Sequence, residues 1–224
     1  KRGDVTEVVF LAVGEGDAIL ISPGLYPVLI DGGRDGRDVL SRLGRHLPFW
    51  DRRIETIIAT HPDADHIGGL VALMKHYRVG HILTSGARSD TDIARLFEES
   101  AAQAAPDGRQ EVFRGASLRL PRDGELLIEY PLAPVSGVPE NTNESSVVIR
   151  FVYGRTSFLL TGDLPGEEAR LPDETPATVL KVSHHGSKYS TSDAFLDLVR
   201  PEEAVISVGE NRYGHPSPEV HERL

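Results

Sequence analysis

Four side chains able to bind a metal ion fall within six residues, His61-Pro62-Asp63-Ala64-Asp65-His66. Imidazole and carboxylate together suit divalent cations. In an extended loop His61, Asp63 and Asp65 would point the same way, and His66 would turn back as a helix begins. One tight turn of this kind can serve two ions, one from each arm. The plain alternative is a solvated loop with Asp65 capping a helix, but a cap needs one acid and no histidine.

Two later stretches carry matching chemistry. Asp163 closes Phe158-Leu159-Leu160-Thr161-Gly162. A carboxylate bridges two cations well, because each oxygen can take one, although an Asp after Gly is also an ordinary turn residue. Ser183-His184-His185-Gly186-Ser187 follows a run that reads as a buried strand. Adjacent histidines on a strand face opposite sides, so their roles should differ. Val182 shares a face with His184 and is apolar, which would aim His184 at the metals and leave His185 beside the substrate as a hydrogen-bond or proton donor. Ser187, Lys188 and Ser190 offer hydroxyls and a cation of the kind that hold phosphate; ordinary loop surface explains them equally. Asp17 and Asp31 sit at strand ends, where turn chemistry alone could place them. His215 in Tyr213-Gly214-His215-Pro216 is a late candidate, whereas His46, His76, His81 and His221 read as surface.

These residues need strands to carry them. The pattern predicts strands over 8–13, 18–21, 28–30, 56–60, 126–130, 147–152, 157–160, 177–183 and 204–207, with glycines and Pro23-Gly24 as turns. Helices are expected over 38–47, 67–77, 92–102 and 193–199, and the final residues from Pro218 read as an unfinished helix. Strands dominate and polar motifs stand at their ends. That suits two sheets packed together, helices outside, and active loops at one edge.

Composition narrows the chemistry. The 224 residues carry a formal charge of -10 and no cysteine. Disulfides and thiolate zinc sites are impossible, so a transition-metal site must use His, Asp and Glu. The acidic balance argues against a generic basic nucleic-acid binder, but not against a nuclease whose local positive charge comes from bound metal. No apolar run is long enough to cross a membrane and no signal peptide is evident. The absence of a starting Met suggests a piece cut from something larger.

Leu29-Ile30-Asp31-Gly32-Gly33, His61 to His66 and Thr161-Gly162-Asp163 together resemble the metallo-β-lactamase-fold hydrolases. The closer resemblance is to the C-terminal domain of ComEC/Rec2-like competence proteins, which take up DNA. That likeness rests on residues 13–21, 61–69 and 180–188, on Ile206-Ser207-Val208-Gly209 and on Tyr213-Gly214-His215-Pro216. Asp63 stands where the wider fold has a middle histidine, which looks typical of the competence branch. Asn143 stands about where another histidine would fall, and Glu15 where the competence pattern usually has Gln.

The resemblance implies an α/β, four-layer αββα sandwich formed by residues 1–224 as one domain, excised from a membrane DNA channel and held outside the cytoplasm. It implies a metal-dependent phosphodiester hydrolase that degrades one strand of incoming DNA. Its cofactors would be two divalent ions and no organic cofactor. On this reading His61, Asp63 and Asp163 hold one ion. Asp65, His66 and Asp163, with His184 or His185, hold the other. Asp65, His185 and Lys188 would be catalytic, Ser187, Lys188, Ser190, Asn143 and His215 would meet DNA, most simply a single strand, and Asp17 and Asp31 would support the site. A carboxylate-rich ligand set favours manganese, with zinc the alternative. Rival readings are another hydrolase on this scaffold (a phosphocholine esterase, lactonase or β-lactamase-like enzyme) and a non-catalytic DNA-binding module.

Overall fold

Successive side chains of a strand enter opposite faces of its sheet, and here neighbours in sequence enter different cores. Leu20, Leu29 and Ile57 join one apolar cluster, whereas Ile19, Ile21, Val28, Ile30 and Ile58 join another. Val148 and Leu159 belong to a third, whereas Ile149 and Leu160 share the second. Three cores separate four layers.

The structure, a computed structural model, describes residues 6–172 and 174–224. The first sheet runs in chain order: β1 (Thr6–Phe10), β2 (Ile19–Pro23), β3 (Val28–Ile30), β4 (Arg53–Ala59), β5 (Arg78–Thr84) and β6 (Arg109–Glu111). The second comprises β7 (Ser117–Leu120), β8 (Gly124–Tyr130), β9 (Val148–Tyr153), β10 (Thr156–Leu160), β11 (Val179–Lys181) and β12 (Glu203–Val205), again neighbour to neighbour. Each sheet is antiparallel at its start and parallel at its end, from β3 onward in the first and from β10 in the second.

Helices α1 (Gly36–His46), α2 (Ala64–His76) and α3 (Asp92–Ala104) supply Val39, Leu43, Leu70, Leu73 and Phe97 to the outer core of the first sheet. Helix α4 (Asp193–Val199) supplies Phe195 and Val199 to the outer core of the second. The expected αββα sandwich is therefore the observed one. Helix α5 (Pro218–Arg223) closes the described chain, with Ser217 as its cap. No helix among the described residues is long and apolar enough to cross a membrane.

Three local expectations change. The strand expected over 177–183 stops at Lys181, and that expected over 8–13 stops at Phe10. The helix expected from Ile67 begins at Ala64, so Asp65 and His66 lie in its first turn rather than in an extended loop. Strands β5, β6 and β7 were not anticipated; β6 is fully exposed and polar, with no apolar alternation to betray it. The parallel strands β3, β4, β10 and β11 all end beside the motifs singled out above. Open α/β sheets place their ligands outside such carboxyl ends.

Candidate metal centre

Asp63 occupies the N-cap of α2, yet its side chain makes no cap hydrogen bond. A capping carboxylate is normally engaged with the N–H groups of the first turn. Asp63 instead turns towards His61, whose Nε2 is 3.8 Å from its Oδ2, and is hydrogen bonded by Thr142. The helix's first turn then presents Asp65 and His66. From the second sheet, the turn after β10 delivers Asp163 and the turn after β11 delivers His185.

Four of these groups converge. Asp65, His66, Asp163 and His185 place one ligand atom each within 4.8 Å of one another. Asp163 Oδ2 lies 3.3 Å from His66 Nε2 and 3.2 Å from His185 Nε2, and Asp65 Oδ2 is 3.5 Å from His185 Nε2. The Nε2 atoms of His61, His66 and His185 are buried and make no well-directed hydrogen bond. Buried polar atoms without partners are rare and call for an explanation.

The other nitrogen of each ring supplies that explanation. His66 Nδ1 is 2.8 Å from Asp31 Oδ2, and His185 Nδ1 is 2.9 Å from the Ser207 carbonyl oxygen. Both partners accept, so both Nδ1 atoms carry the proton. Thr60 donates its hydroxyl to Asp31 Oδ2, 2.7 Å away, and receives His61 Nδ1 at 3.0 Å. All three histidines are thus held with Nδ1 protonated and Nε2 directed into the site. Metal-binding histidines are oriented in this way by outer carboxylates and carbonyls. The donor set and its orphaned atoms fit divalent cations.

His184 differs. Its Nδ1 lies 3.5 Å from the amide nitrogen of Asn143, which can only donate. An amide N–H there would leave the His184 proton on Nε2, 4.0 Å from Asp163 Oδ2, facing the cavity. Strand alternation does not apply at this pair. Both residues follow β11 in a tight turn with φ of 48° and 55°, a left-handed conformation. That turn puts His185 with the ligand atoms and leaves His184 half-buried at the cavity wall, the reverse of the expected assignment.

Beneath the cluster lies a second network. Asp31 accepts from the Thr60 N–H as well as from the groups above. Lys181 is fully buried, donates to the Gly162 carbonyl at 2.8 Å, contacts Asp17 and stands 3.5 Å from Asp163 Oδ1. Asp17, Asp31 and His66 are also close enough to form a cation site. The ammonium of Lys181 already serves Asp17 there, and Asp31 is committed to Thr60 and His66.

Electrostatics follow this layout. Burial alone would raise Asp17, but the Lys181 ammonium holds its carboxyl well below the usual range. Burial lifts Asp31, only partly offset by His66. Burial, with His66 beside it, drops His61 to about 3, so its ring is neutral. Burial opposes charge on His185 too, yet Asp163 and the other carboxylates around it raise it to about 12. An incoming cation would take the place of that proton among the carboxylates.

A cavity of about 200 Å³ opens over the cluster, with Arg34, Asp63, Asp65, Asn143, His184, His185, Tyr213 and His215 among its walls. Asn143 and His215 therefore reach the site, as does Asp163. Ser187, Lys188 and Ser190 do not line it. Ser190 donates its hydroxyl to the carbonyls of Ser183 and Ser187, both at 2.9 Å, and so shapes its own turn. Lys188 lies over the ring of Tyr189. The signals missed in the sequence are Thr60, Lys181 and Arg34. Arg34 pairs with Glu15 at 2.6 Å and stands 4.0 Å from Asp65. Gly16, with φ of 92°, packs so tightly on the Asp65 carbonyl that any side chain there would overlap it, which fixes the Glu15 loop against the site.

Comparison with known proteins agrees with this geometry. Residues 8–210 match the family described as the metallo-beta-lactamase superfamily. The chain is 34% identical over 242 residues to ComE operon protein 3 of Bacillus subtilis, covering 97% of this chain and 30% of that protein. It is 32% identical over 224 residues to Recombination protein 2 of Haemophilus influenzae, covering 97% and 26%. The chain thus spans less than a third of the length of either relative. Among solved structures, the metallo-beta-lactamase fold protein YhfI of Bacillus subtilis superimposes with a TM-score of 0.52 at 17% identity, over 76% of this chain and 68% of that one. The chain belongs to the metallo-beta-lactamase superfamily, on the branch that holds competence proteins of the ComEC/Rec2 kind.

Proposed function

We propose that the chain is a metal-dependent phosphodiesterase acting on DNA, the nuclease portion of a membrane protein for DNA uptake, working outside the cytoplasm. The observation that carries the reading is the convergence of the oriented, unpartnered Nε2 atoms of His66 and His185 on the carboxylates of Asp65 and Asp163, with His61 Nε2 beside Asp63. His61, Asp63 and Asp163 would hold one ion, and Asp65, His66, Asp163 and His185 the other. Bound divalent ions supply a nucleophile from water at neutral pH and neutralise charge developing on phosphate. His184 takes the substrate-side role, since its Nε2–H faces the cavity and can donate to a phosphate or leaving oxygen. Asn143 keeps that proton on Nε2. Two oxygens and two nitrogens around the second position, with a further carboxylate at Asp63, favour manganese over zinc.

DNA is favoured as substrate by the competence relatives and by the cavity. Tyr213 is the only Phe, Tyr or Trp among the lining residues, so no aromatic cage awaits a choline group. The purified chain, stripped with chelator, should cleave DNA only after manganese or zinc is restored. Full cleavage in excess chelator, or none with either metal, would refute the proposal.

A further inference from the structure

Tyr213 stands at the rim of the metal cavity with 73% of its surface exposed. Exposed tyrosines are common, but this one is held. Asn211 Oδ1 accepts the N–H groups of Tyr213 and His215 at 3.0 and 3.1 Å, and its amide donates to the carbonyls of Gly209 and His215 at 3.0 and 2.8 Å. One side chain thus pins both ends of the turn that carries the ring.

The ring is also the outermost of a series. Tyr213 stacks on His215 with centroids 5.9 Å apart and planes 22° apart. His215 meets His184 at 5.5 Å, and His184 meets His185 at 6.0 Å. Rings therefore run from the buried cluster to solvent, and the last presents a free face. Arg34, near enough for its charge to interact with Tyr213, is the only Arg or Lys among the lining residues. A flat face and one guanidinium beside a phosphate-cleaving centre match one nucleotide.

We infer that Tyr213, with Arg34, forms a clamp that stacks the base next to the cleaved phosphate and thereby selects single-stranded DNA. This rests on the phosphodiesterase reading. A chain of charge -10 has little basic surface to neutralise phosphates beyond the cleaved one, so a base contact would add affinity that the bound ions do not supply. Stacking of a base on an aromatic ring contributes about 1–3 kcal/mol and is indifferent to sequence. Bases within a duplex are already stacked on one another and cannot reach the ring.

The test is binding of a fluorescent oligothymidylate by anisotropy with manganese present, alongside cleavage. Tyr213→Ala should weaken binding roughly 5- to 150-fold, while Tyr213→Phe keeps it and metal content stays at the wild-type level. An abasic strand should bind the wild-type protein as weakly as oligothymidylate binds Tyr213→Ala, and combining the two changes should cost nothing more. Trp50→Ala is the control, as Trp50 is exposed before the opposite end of β4. Wild-type affinity in Tyr213→Ala, or further loss on the abasic strand, overturns the clamp. If the wild-type protein binds the strand through Tyr213 but cleaves nothing, the clamp stands and the nuclease reading falls.

Discussion

Glu167 is fully buried four residues after Asp163, and its Oε1 accepts the Thr191 N–H at 2.8 Å and the Thr191 hydroxyl at 3.4 Å. Its Oε2 has no partner. Burial, together with neighbouring Glu168, raises its carboxyl from the ordinary 4.5 to about 7 despite those donors. Between these values the folded chain holds a proton that the unfolded chain has released. Stability therefore falls as pH rises from 4.5 to about 7 and levels off above. The span corresponds to roughly 3 kcal/mol. Glu167→Gln keeps the accepting oxygen and never ionises, so it should escape that loss. Urea unfolding of both proteins at pH 4.5, 6, 7 and 8 measures the difference directly. The variant should match wild type at the acid end, gain on it by about 1.4 kcal/mol per pH unit up to pH 7, and hold a lead of roughly 3 kcal/mol beyond. A difference that does not change with pH would show that Glu167 ionises as it does in water, and the account of its burial would be wrong.

Metal counts on the paired-histidine variants come next: His185→Ala should lose bound metal at concentrations that saturate wild type, whereas His184→Ala should retain metal and lose rate, and the opposite pattern would restore the order expected from strand alternation. Asp31→Asn should lower metal affinity about 10- to 100-fold although Asp31 lies outside the cluster of Asp65, His66, Asp163 and His185, because it orients His66; unchanged affinity by titration would refute that role. Lys181→Met should destabilise the fold by about 3–5 kcal/mol by leaving Asp17 buried without its cation, and adding Asp17→Asn should recover part of it, as denaturant midpoints would show.

The sandwich was legible because the strands advertise it. Ile19, Leu20 and Ile21 are an unbroken apolar run, and only a strand covered on both faces needs one. The candidate cluster was legible because His61 to His66 is too dense in histidine and acid for an ordinary turn. The order of His184 and His185 was not, since it depends on two left-handed residues that no period reveals. Lys181 sat in plain view within an apolar strand, but a lysine there reads as an edge residue until Asp17, 164 positions earlier in the chain, is found beside it. Ser187, Lys188 and Ser190 looked like phosphate donors by type, yet type does not say which way a turn faces.

The two halves of the chain contribute unequal shares of the candidate centre. His61, Asp63, Asp65 and His66 come from the first sheet's side, and Asp163 and His185 from the second's. An ion held by both would be a rivet through the seam between the sheets. Its binding free energy is added to the cohesion of the two halves in proportion to the logarithm of its concentration. In a compartment poor in the metal, the same chain would keep its layers and lose the rivet, so supply of the ion would govern how tightly the sandwich is closed.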